Sequence, residues 1–189
     1  MPAYSAFEVS LVAIEPRIWR RFQLAETATF DHLHRAIQTA FGWESCHLWE
    51  FREPGRRGRV LAGAEQDVLF PDSEETPDAQ QVKLAQYFTP DLSPASCRYI
   101  YDFGDTWIHT VTLSRRLADA ERFHRRLLAG ERACPPEDSG GIGGYARLVE
   151  FLDTGVDPVG DDAAELAEWI GDWKPDRFDL DAAKRIFDR

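Results

Sequence analysis

Histidine, cysteine and carboxylate side chains lie in several short segments of the chain and could together bind a transition metal. Imidazole nitrogen, thiolate sulfur and carboxylate oxygen are the usual ligands of such cations. The candidate metal ligands are His47, Asp105, His109 and Cys134. The sequence has no HExxH and no CxxC motif, so these residues could meet only through the tertiary fold.

Nucleophilic catalysis is a second interpretation of the same residues. Cys134 or Ser139 would be the nucleophile, with His109 as its base and Asp102 orienting the imidazole. The candidate catalytic residues are therefore Asp102, His109 and Cys134. A lone cysteine before two prolines is more often a small buried apolar residue, so the sequence favours a non-catalytic role and leaves the question of an enzyme open.

A purely structural role is the third interpretation. His47 and His109 share a strand face with apolar residues, and buried histidines are commonly satisfied by a polar neighbour. The cluster, as a ligand site or a structural network, contains His34, His47, Asp102, Asp105, Trp107, His109 and Asp138. The glycine-rich SGGIGGY segment resembles a phosphate loop, but Glu137 and Asp138 would repel an anion there.

The segment from Arg98 to Leu113 must position most of these side chains. It reads as two strands around Gly104-Asp105, a pair typical of a two-residue type II′ turn. That turn would place Asp102 opposite Trp107. Asp102 and His109 would then be diagonal neighbours within hydrogen-bond reach.

The remaining elements predict an α+β protein with a mostly antiparallel sheet built from hairpins. One helix follows the first hairpin, and C-terminal helices pack on the sheet. The predicted strands cover 4–14, 17–24 and 47–51. The predicted helices cover 30–41, 82–88, 117–128, 145–152, 163–173 and 180–187. Thr29 is the predicted N-cap of the 30–41 helix and Gly42 ends it, while the 117–128 helix is rich in arginine. We expect a single domain over 1–189 with a mobile loop at 53–80.

The composition and charge of the chain limit the classes of function that the protein can have. The 189-residue chain has a formal net charge of -11, which argues against a large nucleic-acid surface without excluding one. Its arginines form separate patches, including Arg52 to Arg59, that could hold an acidic partner. Three cysteines without paired spacing, no membrane-length apolar run and no signal-peptide pattern predict a cytoplasmic protein without disulfides or membrane contact.

Several segments in order resemble the plasmid pRiA4b ORF-3-like family, whose members are often labelled TnpR-like passenger proteins of insertion elements. The matching segments are IEPRIWRRF, LHRAIQTAFGWESCHLWEF, VKLAQYF, YIYDFGDTWIHTVTL, ACPPEDSGGIGGY and DWKPDRFDLDAAKRI. The resemblance implies an α+β domain of unknown activity associated with plasmids and transposons. Relatives often carry cysteine where this chain has Ser139, so a two-cysteine metal clasp cannot form in that loop.

We therefore predict a non-catalytic binding or accessory module for a protein or small-ligand partner. The first alternative is a metal-dependent, hydrolase-like enzyme that uses the His/Asp cluster and a divalent cation. The second is a DNA-associated accessory protein. A serine resolvase is disfavoured because the C-terminal helices are acidic where a groove-reading helix should be basic. The sequence contains no heptad repeat that would indicate an oligomeric state.

Overall fold

Seven strands form one sheet in the computed structural model, which describes residues 1–55, 57–64, 76–93, 95–160 and 163–189. The strands are β1 (Ala3–Leu11), β2 (Trp19–Ala25), β3 (Trp49–Arg52), β4 (Val60–Gly63), β5 (Ser96–Tyr101), β6 (Trp107–Ala118) and β7 (Arg125–Glu131). Their spatial order is β4-β3-β5-β6-β1-β2-β7, and all six neighbouring pairs are antiparallel.

Five helices complete the described part of the chain. They are α1 (Phe30–Phe41), α2 (Leu84–Tyr87), α3 (Gly141–Thr154), α4 (Ala163–Ile170) and α5 (Leu180–Phe187). The predicted α+β class with a mostly antiparallel sheet is confirmed. Among the described residues, no helix has both the length and the apolar character that a membrane span requires.

The helix after the first hairpin begins and ends at the predicted residues. The side-chain oxygen of Thr29 accepts a hydrogen bond from the His32 amide and so caps α1. Gly42 ends the helix in the left-handed conformation, with φ of 83°. The buried apolar side chains of α1, including Phe30 and Ile37, face the sheet and belong to the main core.

The core lies between the sheet and helices α1 and α5. Aromatic rings dominate it: Phe22 of β2 contacts Phe187 of α5, and Phe51 of β3 contacts Phe30 of α1. Alternate strand residues such as Glu8 point to the opposite face, where they are only partly buried. A smaller cluster joins α3 to α4 through Leu148, Phe151, Leu166 and Ile170.

Residues 117–128 do not form the predicted arginine-rich helix. They are the end of β6, a turn and the start of β7 instead. Gln23 pairs with Arg126 and Phe22 pairs with Leu127 in the sheet. Pairing with β2 and burial of Leu127 outweigh the helical preference of the arginine and leucine residues.

The predicted mobile loop at 53–80 is only partly within the described residues. Arg56 and residues 65–75 lie outside them. In the described remainder, β4 forms an edge of the sheet, and Gly63 makes an isolated parallel bridge with Asp78.

Candidate functional site

The central hairpin closes through a five-residue loop rather than the predicted two-residue turn. Tyr101 pairs with Trp107, so residues 102–106 form the loop. Asp102 and Thr106 have positive φ values of 54° and 58°, and the Thr106 amide donates to the Asp102 carbonyl oxygen at 2.6 Å. The loop is stabilised by Oδ1 of Asp102, which accepts from the amides of Gly104 and Asp105 at 2.9 and 3.3 Å.

This change of register by one residue separates Asp102 from His109. Tyr99, not Ile100, lies opposite His109. The ring of His109 is 0% exposed, and within the described chain neither nitrogen has a hydrogen-bond partner. The predicted Asp102–His109 hydrogen bond is therefore wrong, because Asp102 turns into its own loop.

His109 is instead enclosed by aromatic rings. Phe41 and Trp43 contact it edge-on, with ring centroids 5.1 and 5.2 Å away. Burial lowers the pKa of His109 to about 3, although the backbone groups of Tyr99 and Trp107 act in the opposite direction. The imidazole is consequently neutral at physiological pH.

His34 is also a buried, neutral histidine, but its polar atoms are paired. Its Nδ1 lies 2.7 Å from the hydroxyl of Tyr99, and its Nε2 lies 2.6 Å from the hydroxyl of Ser45. The ring stacks on Trp49 at 3.9 Å, and burial lowers its pKa to about 3. The arrangement joins α1 to β3 and β5.

The candidate nucleophiles are enclosed as well. Burial raises the pKa of the Cys134 thiol well above its ordinary value, which leaves it protonated and unreactive. The Ser139 hydroxyl and Trp107 Nε1 are buried without a hydrogen-bond partner among the residues described. His109 makes no hydrogen bond to either nucleophile, so the proposed catalytic relay is not assembled.

A different set of polar residues does come together, around His47. Its Nε2 atom lies 2.9 Å from Oδ1 of Asp138, 3.7 Å from Oδ2 of Asp102 and 3.9 Å from Oε2 of Glu137. The nitrogen is shielded from solvent and makes no well-aligned hydrogen bond with the described residues. We call His47, Asp102, Glu137, Asp138 and the adjacent Cys46 the His47 centre.

In two of the three carboxylates of the centre, hydrogen bonds from the protein fix one of the two oxygens. Oδ1 of Asp102 accepts the loop amides described above. Oε1 of Glu137 accepts from the Tyr101 hydroxyl at 2.9 Å and from the Glu44 amide at 2.7 Å. Each carboxylate thus has one oxygen fixed by the protein and the other directed towards His47 Nε2.

Two groups of three ligand atoms within the centre are compact enough to hold one cation. One is formed by His47, Asp102 and Asp138, and the other by Cys46, His47 and Glu137. In each group the ligand atoms lie within 4.8 Å of one another. Asp138 is the open side of the centre, since 72% of its side chain is exposed.

Asp105 fixes the glycine-rich loop to the hairpin and belongs to neither group. Its Oδ2 accepts from the Gly140 amide at 2.9 Å. Gly141 adopts a φ of 67°, and a Cβ there would lie 2.6 Å from the carbonyl oxygen of Asp105. This close approach brings Glu137 and Asp138 beside the hairpin loop.

The structure therefore brings together only part of the predicted polar cluster. His47, Asp102 and Asp138 meet, Asp105 positions the loop, and His109 and Cys134 are core residues. Sequence reasoning missed Cys46 and treated Glu137 only as a repulsive charge. The signal was present as a Cys-His pair followed much later by a Glu-Asp pair, but their proximity depends on the tertiary fold.

Two of the arginines near Trp19, Arg17 and Arg21, form ion pairs. Arg17 and Arg21 both bind the Glu8 carboxylate, at 2.8 and 2.6 Å. The Arg21 guanidinium also lies over the Trp19 ring, 5.4 Å from its centroid. The charges of Arg17 and Arg21 and the ring of Trp19 are thus already engaged in contacts with one another and with Glu8, on a partly exposed face of the sheet.

Comparison with known proteins gives a family and a fold. A family model described as plasmid pRiA4b ORF-3-like protein matches residues 3–182. The uncharacterised protein y4hQ of Sinorhizobium fredii is 36% identical over 169 residues, which cover 87% of this chain and 79% of that protein. A crystal structure of a protein of unknown function from Methanosarcina mazei Go1 is 34% identical, with a TM-score of 0.81 and 96% coverage of both chains.

Proposed function

The chain belongs to the plasmid pRiA4b ORF-3-like family, and from that premise we propose that it is a binding module for a divalent transition-metal cation. The relatives described above are themselves uncharacterised, so the proposal rests on the His47 centre. The cation would bind between the loop of the central hairpin and the segment before α3.

The observation that carries the proposal is the pairing of fixed and free carboxylate oxygens. Free oxygens of Asp102 and Glu137 face a desolvated histidine nitrogen, while their second oxygens are held by the protein. Ligating carboxylates in metal sites are oriented by such outer hydrogen bonds.

The ligand types restrict the cation. One imidazole nitrogen combined with carboxylate oxygens suits Mn²⁺, Fe²⁺, Co²⁺ or Zn²⁺ better than Ca²⁺, which prefers oxygen ligands alone. Three adjacent carboxylates would otherwise repel one another, so a dication lowers the electrostatic energy of the loops as well.

Isothermal titration calorimetry of the metal-stripped, untagged protein with Zn²⁺ and Mn²⁺ tests the proposal. We expect one cation per chain, with a loss of affinity of at least about tenfold in His47→Ala and in Asp102→Asn. His124→Ala is the matched control, because His124 is an exposed histidine outside the centre. Equal affinity in His47→Ala and His124→Ala would contradict the proposal.

The exposed side of the centre favours a second candidate function, single-cation hydrolysis. With Asp138 mostly exposed, a bound cation could keep a coordination position for water, as catalytic zinc sites do. A panel of phosphate and carboxylate ester substrates, assayed with Zn²⁺ or Mn²⁺, tests it. Turnover that Asp102→Asn abolishes without unfolding the protein would support hydrolysis. Metal binding without turnover would reject hydrolysis and leave cation binding as the proposed function.

A further inference from the structure

Cys46 lies at the edge of the His47 centre and points to the kind of cation it takes. Resting on the cation-binding function proposed above, we propose that Cys46 is a thiolate ligand and makes the centre selective for thiophilic cations of the zinc class. A site with only imidazole and carboxylate ligands would not show that preference.

Position distinguishes Cys46 from the other two cysteines. Cys97 and Cys134 are buried in the main core, whereas Cys46 is exposed. Its Sγ atom belongs to the compact group with His47 and Glu137. A tetrahedral zinc site with ordinary Zn–S and Zn–N bonds needs a separation of about 3.5 Å between its ligand atoms. The ligand atoms of this group lie within 4.8 Å of one another, so a small side-chain adjustment brings them to that separation.

Tyr101 connects the thiol to the carboxylate in this group. Its hydroxyl donates to Glu137 and accepts from the Cys46 amide at 3.2 Å. Sγ of Cys46 lies 3.8 Å from the same oxygen. Since the single hydroxyl proton goes to Glu137, the thiol can only donate to Tyr101, and no described donor holds its lone pairs. Those lone pairs remain free for a cation.

The buried nitrogen of the centre gives a further indication of a missing partner. Nε2 of His47 is shielded from solvent, yet it makes no hydrogen bond with the described residues and faces the carboxylate of Glu137. A buried polar atom ordinarily has a hydrogen-bond partner or a ligand. A cation bound by His47, Glu137 and the thiol would fill that role.

Binding through Cys46 must release the thiol proton to solvent. The Cys–SH group and M²⁺ give Cys–S–M⁺ and H⁺, with no change of oxidation state. Zn²⁺ binding should therefore release one more proton from the wild-type protein than from Cys46→Ser. Mg²⁺, which prefers oxygen ligands, should not show this difference.

Cobalt substitution tests the ligand directly, because a thiolate bound to Co²⁺ gives a charge-transfer band in the near ultraviolet. We expect this band in the wild-type protein and in Cys97→Ala, and its loss in Cys46→Ser with Co²⁺ still bound. Affinity for Zn²⁺ should fall at least about tenfold in Cys46→Ser, and affinity for Mn²⁺ should stay within a factor of about three.

The outcomes separate this inference from the function on which it rests. Suppose that Co²⁺ gives visible d–d bands that depend on His47 but gives no thiolate band. That result would overturn the role of Cys46 and leave the cation site intact. A thiolate band that persists in Cys46→Ser would assign it to another cysteine and also overturn the inference. Failure of Co²⁺ and Zn²⁺ to bind the wild-type chain would remove both proposals.

Discussion

Arg20 carries a positive charge into the core, where none of the described carboxylates pairs with it. Its guanidinium donates to the carbonyl oxygens of Ala40, Trp19, Glu131 and Arg132, all at 2.8 Å. It also stacks on the Phe178 ring at 3.7 Å. Burial lowers the pKa of Arg20 to about 10, which still leaves it charged at neutral pH. One side chain thus joins the end of α1, the end of β7 and the segment before α5.

Replacing Arg20 with lysine should destabilise the fold strongly. An ammonium group cannot reach the same carbonyl oxygens in the planar geometry of guanidinium, so some would be buried without donors. We expect Arg20→Lys to lower the free energy of unfolding by about 3–5 kcal/mol, measured by urea denaturation.

Arg21→Lys is the matched control on the same strand. Arg21 is exposed and paired with Glu8, and such surface pairs contribute about 1 kcal/mol or less. Similar losses in Arg20→Lys and Arg21→Lys would show that the buried guanidinium has no special role.

His109 should prove to be a packing residue. Removing its ring in His109→Ala leaves a cavity among Phe41, Trp43 and Tyr99, and we expect a loss of about 2–4 kcal/mol in stability. The Zn²⁺ affinity measured on the folded protein should not change. A loss of metal binding in this variant comparable to that in His47→Ala would instead place His109 in the site.

At the level of elements, sequence reasoning predicts regular structure better than the geometry of loops. Alternating apolar residues correctly indicate β1 and β2, and Thr29 and Gly42 correctly mark the ends of α1. The hairpin loop was mispredicted because Gly104-Asp105 suggests a tight turn, whereas the Asp102 side chain stabilises a longer loop. A shift of one residue then exchanges the two faces of a strand.

The same limitation applies to the candidate site. The structure brings together His47, Asp102 and Asp138, which were singled out from the sequence by residue type. Cys46 and Glu137 were not, because their role depends on the docking of the glycine-rich loop against the hairpin. That docking is a tertiary contact between Asp105 and Gly140, and local patterns do not encode it.

The contact between the two loops can be tested at Gly141. Its positive φ and its closeness to Asp105 both disfavour a side chain, so Gly141→Ala should cost about 1–3 kcal/mol. Displacement of Glu137 and Asp138 should also weaken Zn²⁺ binding. The measurements are thermal unfolding and calorimetry on the same sample.

Gly143→Ala provides the comparison two residues later in α3. A Cβ there meets no atom within 4 Å, and alanine favours helix by about 0.5–1 kcal/mol. This variant should be at least as stable as wild type and bind Zn²⁺ normally. Equal behaviour of the two alanine variants would mean that the close approach at Gly141 does not hold the site.

At the scale of the whole molecule, the acidic charge and the buried histidines respond to pH in opposite ways. The net charge of -11 makes the carboxylates repel one another, and their protonation relieves that repulsion. Two carboxylates resist this, because arginine partners lower the pKa values of Glu8 and Asp157. Carboxylates titrate mainly below about pH 5, whereas histidines in an unfolded chain take up protons near pH 6.5. The two effects therefore occupy separate pH ranges.

In the histidine range we expect stability to fall as the solution is acidified. Burial lowers the pKa values of His34 and His109 to about 3 in the folded protein, so only the unfolded chain takes up protons just below about pH 6.5. Stability is then fully present above that pH and declines by up to about 1.4 kcal/mol per pH unit for each histidine. Urea denaturation between about pH 7.5 and pH 5 measures the slope.

The variant His109→Leu should remove about half of this slope, because one of the two buried imidazoles is gone. An unchanged slope in His109→Leu would mean that His109 is protonated within the fold, which requires a partner for its ring that the structure does not show among the described residues.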